Sequence, residues 1–297
     1  LTVEEVPTAD LRAVDPELKS LVNINTPEDL DRTVAVKPGD HEVRLRVVEV
    51  GTRRARGMPS EKPITIYLNG LEVVTAQATP DDLEDLAVGF LSVEGLLTDR
   101  NEFESTEVDA RRGMVFVTTA EDPPTEGRIQ KRYVTSGCGR GITFTSAGHL
   151  VGVEPVESGL NIHADEIYEL MDQMARGATR YRETGGMHAC AIGIDGRIAL
   201  MREDVGRHNA LDKVLGAAWL EGRGLDHAVL LTSGRISSEM AIKSAKAGVP
   251  IVASRTAVTD LAAEVAAELG ITLVGYARGG KLVVYTNPWR IREGGGE

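Results

Sequence analysis

Two stretches of this chain concentrate residues that can do chemistry. Cys138 sits between glycines in Thr135-Ser136-Gly137-Cys138-Gly139-Arg140-Gly141, with Lys131, Arg132 and Arg140 close in sequence. Flanking glycines let another molecule approach the sulfur, and nearby cations favour the thiolate, the nucleophilic form of the group. A sulfur nucleophile needs that setting. The chain's other cysteine, Cys190, lies within Met187-His188-Ala189-Cys190-Ala191 and reads as a small buried side chain.

The second stretch runs from Glu203 to Lys213 and crowds Asp204, Arg207, His208, Asn209 and Asp212 into a strand-to-helix junction that needs only a turn. Packing alone does not ask for that composition. Asp204, Arg207 and His208 are therefore candidates for a ligand pocket. His188 follows Thr184-Gly185-Gly186 at a strand start and His208 stands where a helix begins, so each can bind ligand, transfer a proton or serve the core. Glu239 and Lys243, four apart on a helix, read as a surface ion pair.

The elements that must position these groups follow from periodicity. Residues 1–40 carry Pro7, Pro16, Pro27 and Pro38 without sustained apolar spacing and read as an irregular arm. Residues 43–50 and 64–68 read as strands, and Asn69-Gly70 predicts a hairpin into 71–76. Arg53, Arg54 and Arg56 fall in the intervening loop. Thr79 can cap a helix that opens on Pro80, Asp81 and Asp82 and runs to about Leu97. Short strands are expected at 115–118 and 133–135, with a domain boundary near residue 150.

In the second half, Ile167, Leu170, Met171 and Met174 follow helical spacing, and Asp195-Gly196 predicts a hairpin between strands 187–194 and 197–201. Leu211, Val214, Leu215 and Ala218 mark another helix. Three short apolar runs, 228–231, 251–253 and 271–274, alternate with helices around Met240 and over 261–269. That alternation predicts an α/β domain with a mostly parallel sheet covered on both faces. The expected layout is an arm at 1–40, a smaller α+β domain at 41–150 carrying the cysteine loop, and an α/β domain at 151–297.

Ligands of such sheets bind beyond the carboxyl ends of the strands. The loops there read Ser233-Gly234-Arg235, Ser254-Arg255-Thr256 and Tyr276-Ala277-Arg278-Gly279-Gly280-Lys281. Each joins a cation to a hydroxyl or to glycine amides, a combination suited to phosphate groups. No Walker loop or dinucleotide fingerprint is present, so this signal is one of placement.

With 33 basic against 45 acidic residues the net charge is -12, which disfavours extended contact with nucleic acid. An anionic ligand must therefore find a local basic pocket. No apolar run approaches the ~20 residues of a membrane span. Two cysteines provide neither a disulfide framework nor a four-cysteine metal site, and no secretory leader is read, so a reducing cytoplasm is expected.

At these residues the chain resembles the FdhD/NarQ family of formate dehydrogenase accessory sulfurtransferases, over roughly residues 60–290. The resemblance rests on Gly89-Phe90-Leu91 with Glu94-Gly95, Thr184-Gly185-Gly186-Met187-His188, Asp204-Val205-Gly206-Arg207-His208-Asn209-Ala210, Ser233-Gly234-Arg235 and the closing segment 275–286. It implies a cytidine deaminase-like, three-layer second half. It also implies that Cys138 takes sulfur from a cysteine desulfurase as a persulfide. That sulfur passes to the bis-molybdopterin guanine dinucleotide form of the molybdenum cofactor, bound as substrate, for formate dehydrogenase. Tyr276, Ala277, Arg278, Gly279, Gly280 and Lys281 would contribute to cofactor binding, beside His188, Asp204, Arg207, His208, Ser233 and Arg235. A homodimer is expected, with no zinc.

Many family members carry Cys-x-x-Cys where this chain has Cys138-Gly139-Arg140-Gly141. A persulfide relay needs one acceptor sulfur, so transfer survives that loss, whereas a mechanism using a resolving cysteine does not. The alternative is a cofactor chaperone without sulfur chemistry. Zinc-dependent deamination needs His-x-Glu and Pro-Cys-x-x-Cys, and His188-Ala189-Cys190 with no later cysteine pair does not supply them.

Overall fold

The computed structural model describes residues 57–121, 133–134 and 153–292, which belong to one compact unit. The arm at 1–40, the strand expected at 43–50, Arg53, Arg54, Arg56, the 150 boundary and Cys138 with Lys131, Arg132 and Arg140 lie outside the described residues.

The first sheet forms around the expected hairpin. Strands β1 (Lys62–Leu68) and β2 (Leu71–Ala78) pair antiparallel across Asn69 and Gly70, both at positive φ (47° and 79°), as a tight two-residue turn requires. Helix α1 (Leu83–Glu94) follows, then β3 (Phe103–Asp109) and β4 (Met114–Thr119), with β4 parallel to β1 and β5 (Tyr133–Val134) parallel to β2. The strand order is β3-β4-β1-β2-β5. Ile64, Ile66, Leu68, Leu86, Leu91, Val115 and Val117 close the core between sheet and α1.

Thr79 does not cap α1. The residue at that position is Asp82, in a left-handed conformation and without a side-chain cap, and the helix stops at Gly95, whose amide closes on Leu91 and Ser92. Thr79 is instead buried, with its groups committed to the Asp204–Lys213 segment.

Strand β6 (Ile162–His163) pairs in parallel with β13 (Ile291–Arg292), and the second large sheet has the order β12-β11-β10-β9-β7-β8. Its strands are β7 (His188–Ile194), β8 (Arg197–Asp204), β9 (Val229–Thr232), β10 (Ile251–Ser254), β11 (Thr272–Arg278) and β12 (Lys281–Val284). Only β9, β10 and β11 pair in parallel; β7 runs antiparallel to both β8 and β9, and β12 to β11. The sheet is thus mixed, where a mostly parallel one was expected. The two-residue turns Asp195-Gly196 and Gly279-Gly280 join β7 to β8 and β11 to β12, and such short turns permit only antiparallel neighbours.

Helices cover both faces. On one, α4 (Arg207–Leu220), α5 (Ser238–Lys246) and α6 (Asp260–Glu268) pack Leu211, Met240 and Ala262 onto Cys190, Ile192, Leu230 and Val252. On the other, α2 (Ala164–Gly177) sets Ile167, Leu170 and Met174 against Ala189, Ala191, Leu231 and Ala253. Alternate β7 residues therefore serve opposite cores, which explains its continuous apolar sequence.

Helices α1 and α4 approach until their backbones touch. A Cβ at Gly89 would lie 1.8 Å from the Asp212 carbonyl oxygen, and one at Gly216 would lie 1.9 Å from that of Asp85. This contact explains the glycine of the Gly89-Phe90-Leu91 motif.

Candidate functional site

The carboxyl ends of β9, β10 and β11 and the start of β7 open into one pocket of about 510 Å³. His188, Ser233, Arg255, Thr256 and Arg278 line it from the sheet, and α3 (Thr179–Thr184) with the turn after it adds Tyr181, Arg182, Gly185 and Gly186. Met174 and Met187 add apolar wall. The described lining holds three arginines and no carboxylate, in a chain of net charge -12. It is a local basic site.

Hydroxyl groups set the loops at the strand ends. Ser233 Oγ accepts from the Ala189 amide at 2.9 Å and lies 3.5 Å from His188 Nδ1. Ser254 Oγ donates to the Gly234 carbonyl at 2.6 Å and accepts from the Thr256 amide at 2.9 Å. Burial, reinforced by Arg207 and opposed by Asp204, lowers the His188 pKa below its ordinary 6.5, so its imidazole is neutral near pH 7. A neutral ring offers the pocket a donor and an acceptor without adding charge.

The Glu203–Lys213 junction is placed differently. Asp204 is fully buried, pairs with Lys213 Nζ at 2.7 Å, and accepts from the amides of Thr79 and Gly206 and from Asn209 Nδ2. Lys213 Nζ also donates to the Thr79 carbonyl. These groups tie the β2–α1 connection to α4 and are sealed from solvent. Arg207 is half-buried beside His188 and Gly234, outside the pocket lining. His208 turns inward, with Nε2 3.2 Å from Ser237 Oγ and 3.6 Å from Glu239, and burial, Lys243, Arg207 and His188 push its pKa down to about 3.

Behind this junction lies a buried ionic cluster. Lys243 Nζ sits 2.8 Å from both Asp212 oxygens, 3.7 Å from Glu239 and 4.0 Å from Glu94. Glu239 and Lys243 are thus an interior pair, contrary to the surface pair their spacing suggested, because the face of α5 that carries them packs on α4. Burial raises Asp212 from 3.8 to about 7, against the pull of Lys243 and with Glu239 and Glu94 adding to the rise.

Of the cofactor-binding residues expected, His188, Ser233 and Arg278 line the pocket and Arg235 is exposed and outside its lining. The segment from Tyr276 to Lys281 is no loop: β11 continues through Arg278, Ala277 is buried, Gly279-Gly280 is the hairpin turn, and exposed Lys281 starts β12. Tyr276 holds φ 53° at the irregularity between Gly275 and Arg278. Cys190 is completely buried, and burial pushes its thiol up to about 12.

Tyr181 and Arg182 were missed as site residues because α3 was not foreseen. Gly185, at φ 69° with its amide on the Tyr181 carbonyl, is a helix-stop signal that marks the element.

The sequence profile described as "FdhD/NarQ family" matches residues 59–292, which include every pocket residue. The chain belongs to the FdhD/NarQ family. Among its relatives, the sulfur carrier protein FdhD of Bacillus subtilis strain 168 is 39% identical over 237 residues, covering 80% of this chain and 90% of the relative. The Listeria innocua protein of that name is 39% identical over 254 residues, covering 84% and 97%. A crystal structure from Desulfotalea psychrophila, assigned as a formate dehydrogenase accessory protein, superposes with a TM-score of 0.65 at 28% identity, covering 79% of this chain and 90% of that one. This family member is a mixed α/β protein, and among the described residues no helix is long and apolar enough to cross a membrane.

Proposed function

We propose that this FdhD/NarQ family member is a cytoplasmic sulfurtransferase that carries persulfide sulfur from a cysteine desulfurase to the bis-molybdopterin guanine dinucleotide cofactor of formate dehydrogenase. The pocket bounded by Arg182, Arg255 and Arg278 carries the reading. Three cations and a neutral His188 suit a pyrophosphate, and Met174, Met187 and Tyr181 offer apolar surface for a planar ring. Its volume, within the ~300–1,000 Å³ of small-ligand sites, fits one nucleotide arm of the cofactor, with the remainder outside. The helix–sheet–helix half takes the cytidine deaminase-like arrangement in this reading, and the protein acts as a homodimer.

Cysteine accounting supports Cys138 as the carrier. The chain has two cysteines, and Cys190 is sealed between sheet and helices with a thiol that does not ionise near neutral pH. In the loading step, Cys138 thiolate attacks the terminal sulfur of the donor persulfide. The donor S–S bond breaks, the donor leaves as thiolate, and a new S–S bond forms on Cys138.

Incubation with a cysteine desulfurase and cysteine, followed by intact mass and peptide mapping, tests the reading. One added sulfur on Cys138, absent from Cys138→Ala, is expected. Cofactor binding without any sulfur gain would instead make the protein a chaperone.

A further inference from the structure

Helix α3 forms one wall of the pocket yet has almost nothing to hold it. It is six residues long, none of its residues is buried, and an isolated helix of that length has no stability in water. Its anchors are polar. The Glu203 carboxylate, one residue before the end of β8, accepts from the Arg180 amide at 3.1 Å and from the Tyr181 amide at 2.8 Å. These are the amides at the start of α3, where no intrahelical acceptor exists. Glu203 itself is 9% exposed, fixed behind the helix. Arg180 pairs with Asp81, and Thr184 Oγ bridges the Arg180 carbonyl to the Gly186 amide.

Glu203 contributes nothing to the pocket lining, and its neighbour Asp204 is committed to Lys213. We infer that Glu203 is a positioning residue: its carboxylate holds α3 so that Tyr181 and Arg182 stay in the wall of the nucleotide pocket that Arg255 and Arg278 also line. The inference rests on the proposed function for the ligand and on the hydrogen bonds alone for the wall. A carboxylate suits the task because its two oxygens take both amides at once and its charge strengthens each bond. A glutamine has one carbonyl oxygen and turns a donor towards the second amide.

The test pairs two measurements on the full chain: amide hydrogen exchange across residues 179–184 and calorimetric titration with guanosine diphosphate. In Glu203→Ala, exchange across α3 accelerates and affinity falls about tenfold. Glu203→Gln lies between it and the unaltered protein, and carries the test if the alanine variant does not fold. In a Tyr181→Ala/Arg182→Ala background, Glu203→Ala still accelerates exchange but adds no further loss of affinity. Unaltered exchange in both Glu203 variants overturns the inference, as does an equal affinity loss with and without Tyr181 and Arg182. If the unaltered protein does not bind the nucleotide, the ligand assignment fails, while exchange still decides whether Glu203 holds the wall.

Discussion

Replacing Lys243 by methionine isolates the energetics of the interior. The ammonium is the centre of a sealed group in which Asp212 binds it at 2.8 Å through both oxygens and Glu239 and Glu94 stand within 4.0 Å. Its side chain is 4% exposed, so water cannot replace it. Removing one partner of a buried ion pair costs about 3–5 kcal/mol, against a total stability of about 5–15 kcal/mol. The sign with pH follows from Asp212, whose carboxyl is raised from 3.8 to about 7 chiefly by burial. Such a group contributes stability that is whole below 3.8 and lost as pH rises through about 7. Without Lys243 the stranded carboxyls must take up protons to stay folded. The cost of the substitution therefore climbs with pH, by about 1.4 kcal/mol per unit for each extra proton held. Urea unfolding followed by tryptophan fluorescence between about pH 5 and pH 8.5 reads this directly. A Lys243→Met/Asp212→Leu double variant recovers the part of the loss that Asp212 causes, since an apolar pair needs no compensation, and leaves the part due to Glu239 and Glu94. A single-variant cost below about 1 kcal/mol near neutral pH, flat across the range, would refute the reasoning.

Two further outcomes are expected. His208, depressed from 6.5 to about 3, contributes stability that is whole above 6.5 and lost as pH falls towards 3; in NMR titration its imidazole stays neutral through about pH 5, and His208→Asn flattens the acid side of the stability profile. Gly216→Ala places a Cβ 1.9 Å from the Asp85 carbonyl oxygen and 2.7 Å from the Gly89 amide nitrogen, both backbone, so thermal unfolding should show more than the ~1–3 kcal/mol of ordinary overpacking, whereas Gly159→Ala, with open space around it, changes stability by less than about 0.5 kcal/mol.

The elements with a strong period or a tight turn were legible in the sequence. The Asn69-Gly70 and Asp195-Gly196 hairpins, the α2 stripe and the three parallel strands all stand where the pattern placed them. Strand β3 was not legible, because an edge strand with the sequence Phe-Glu-Ser-Thr-Glu-Val-Asp shows little apolar alternation. Helix α3 was silent for a related reason: it buries no residue, so it leaves no apolar stripe to read. Thr79 was misread because a hydroxyl before Pro-Asp-Asp satisfies a local capping rule, while that hydroxyl's actual partner, the Val205 amide, lies 126 residues away. The depth of Glu239 and Lys243 was invisible because spacing of four reports a shared helix face and not what covers it.

The same distinction governs the Glu203–Lys213 junction. A helix turns about 100° per residue, so charges adjacent in sequence leave in different directions. Asp204, Asn209 and Lys213 close on Thr79 and the β2–α1 connection, and Asp212 reaches α5 through Lys243. Arg207 lies against His188 and Gly234, while Glu203 reaches back to α3. One motif thus fixes three elements around a pocket that, among its own residues, none lines. A variant in this motif can abolish the proposed nucleotide binding by loosening α1, by charging the interior or by releasing the pocket wall. Loss of binding therefore identifies a ligand contact only where global stability and exchange across α3 are unchanged. By that criterion Arg182, Arg255 and Arg278 are where direct contact should be found, and the sealed Asp204–Lys213 pair is where it should not.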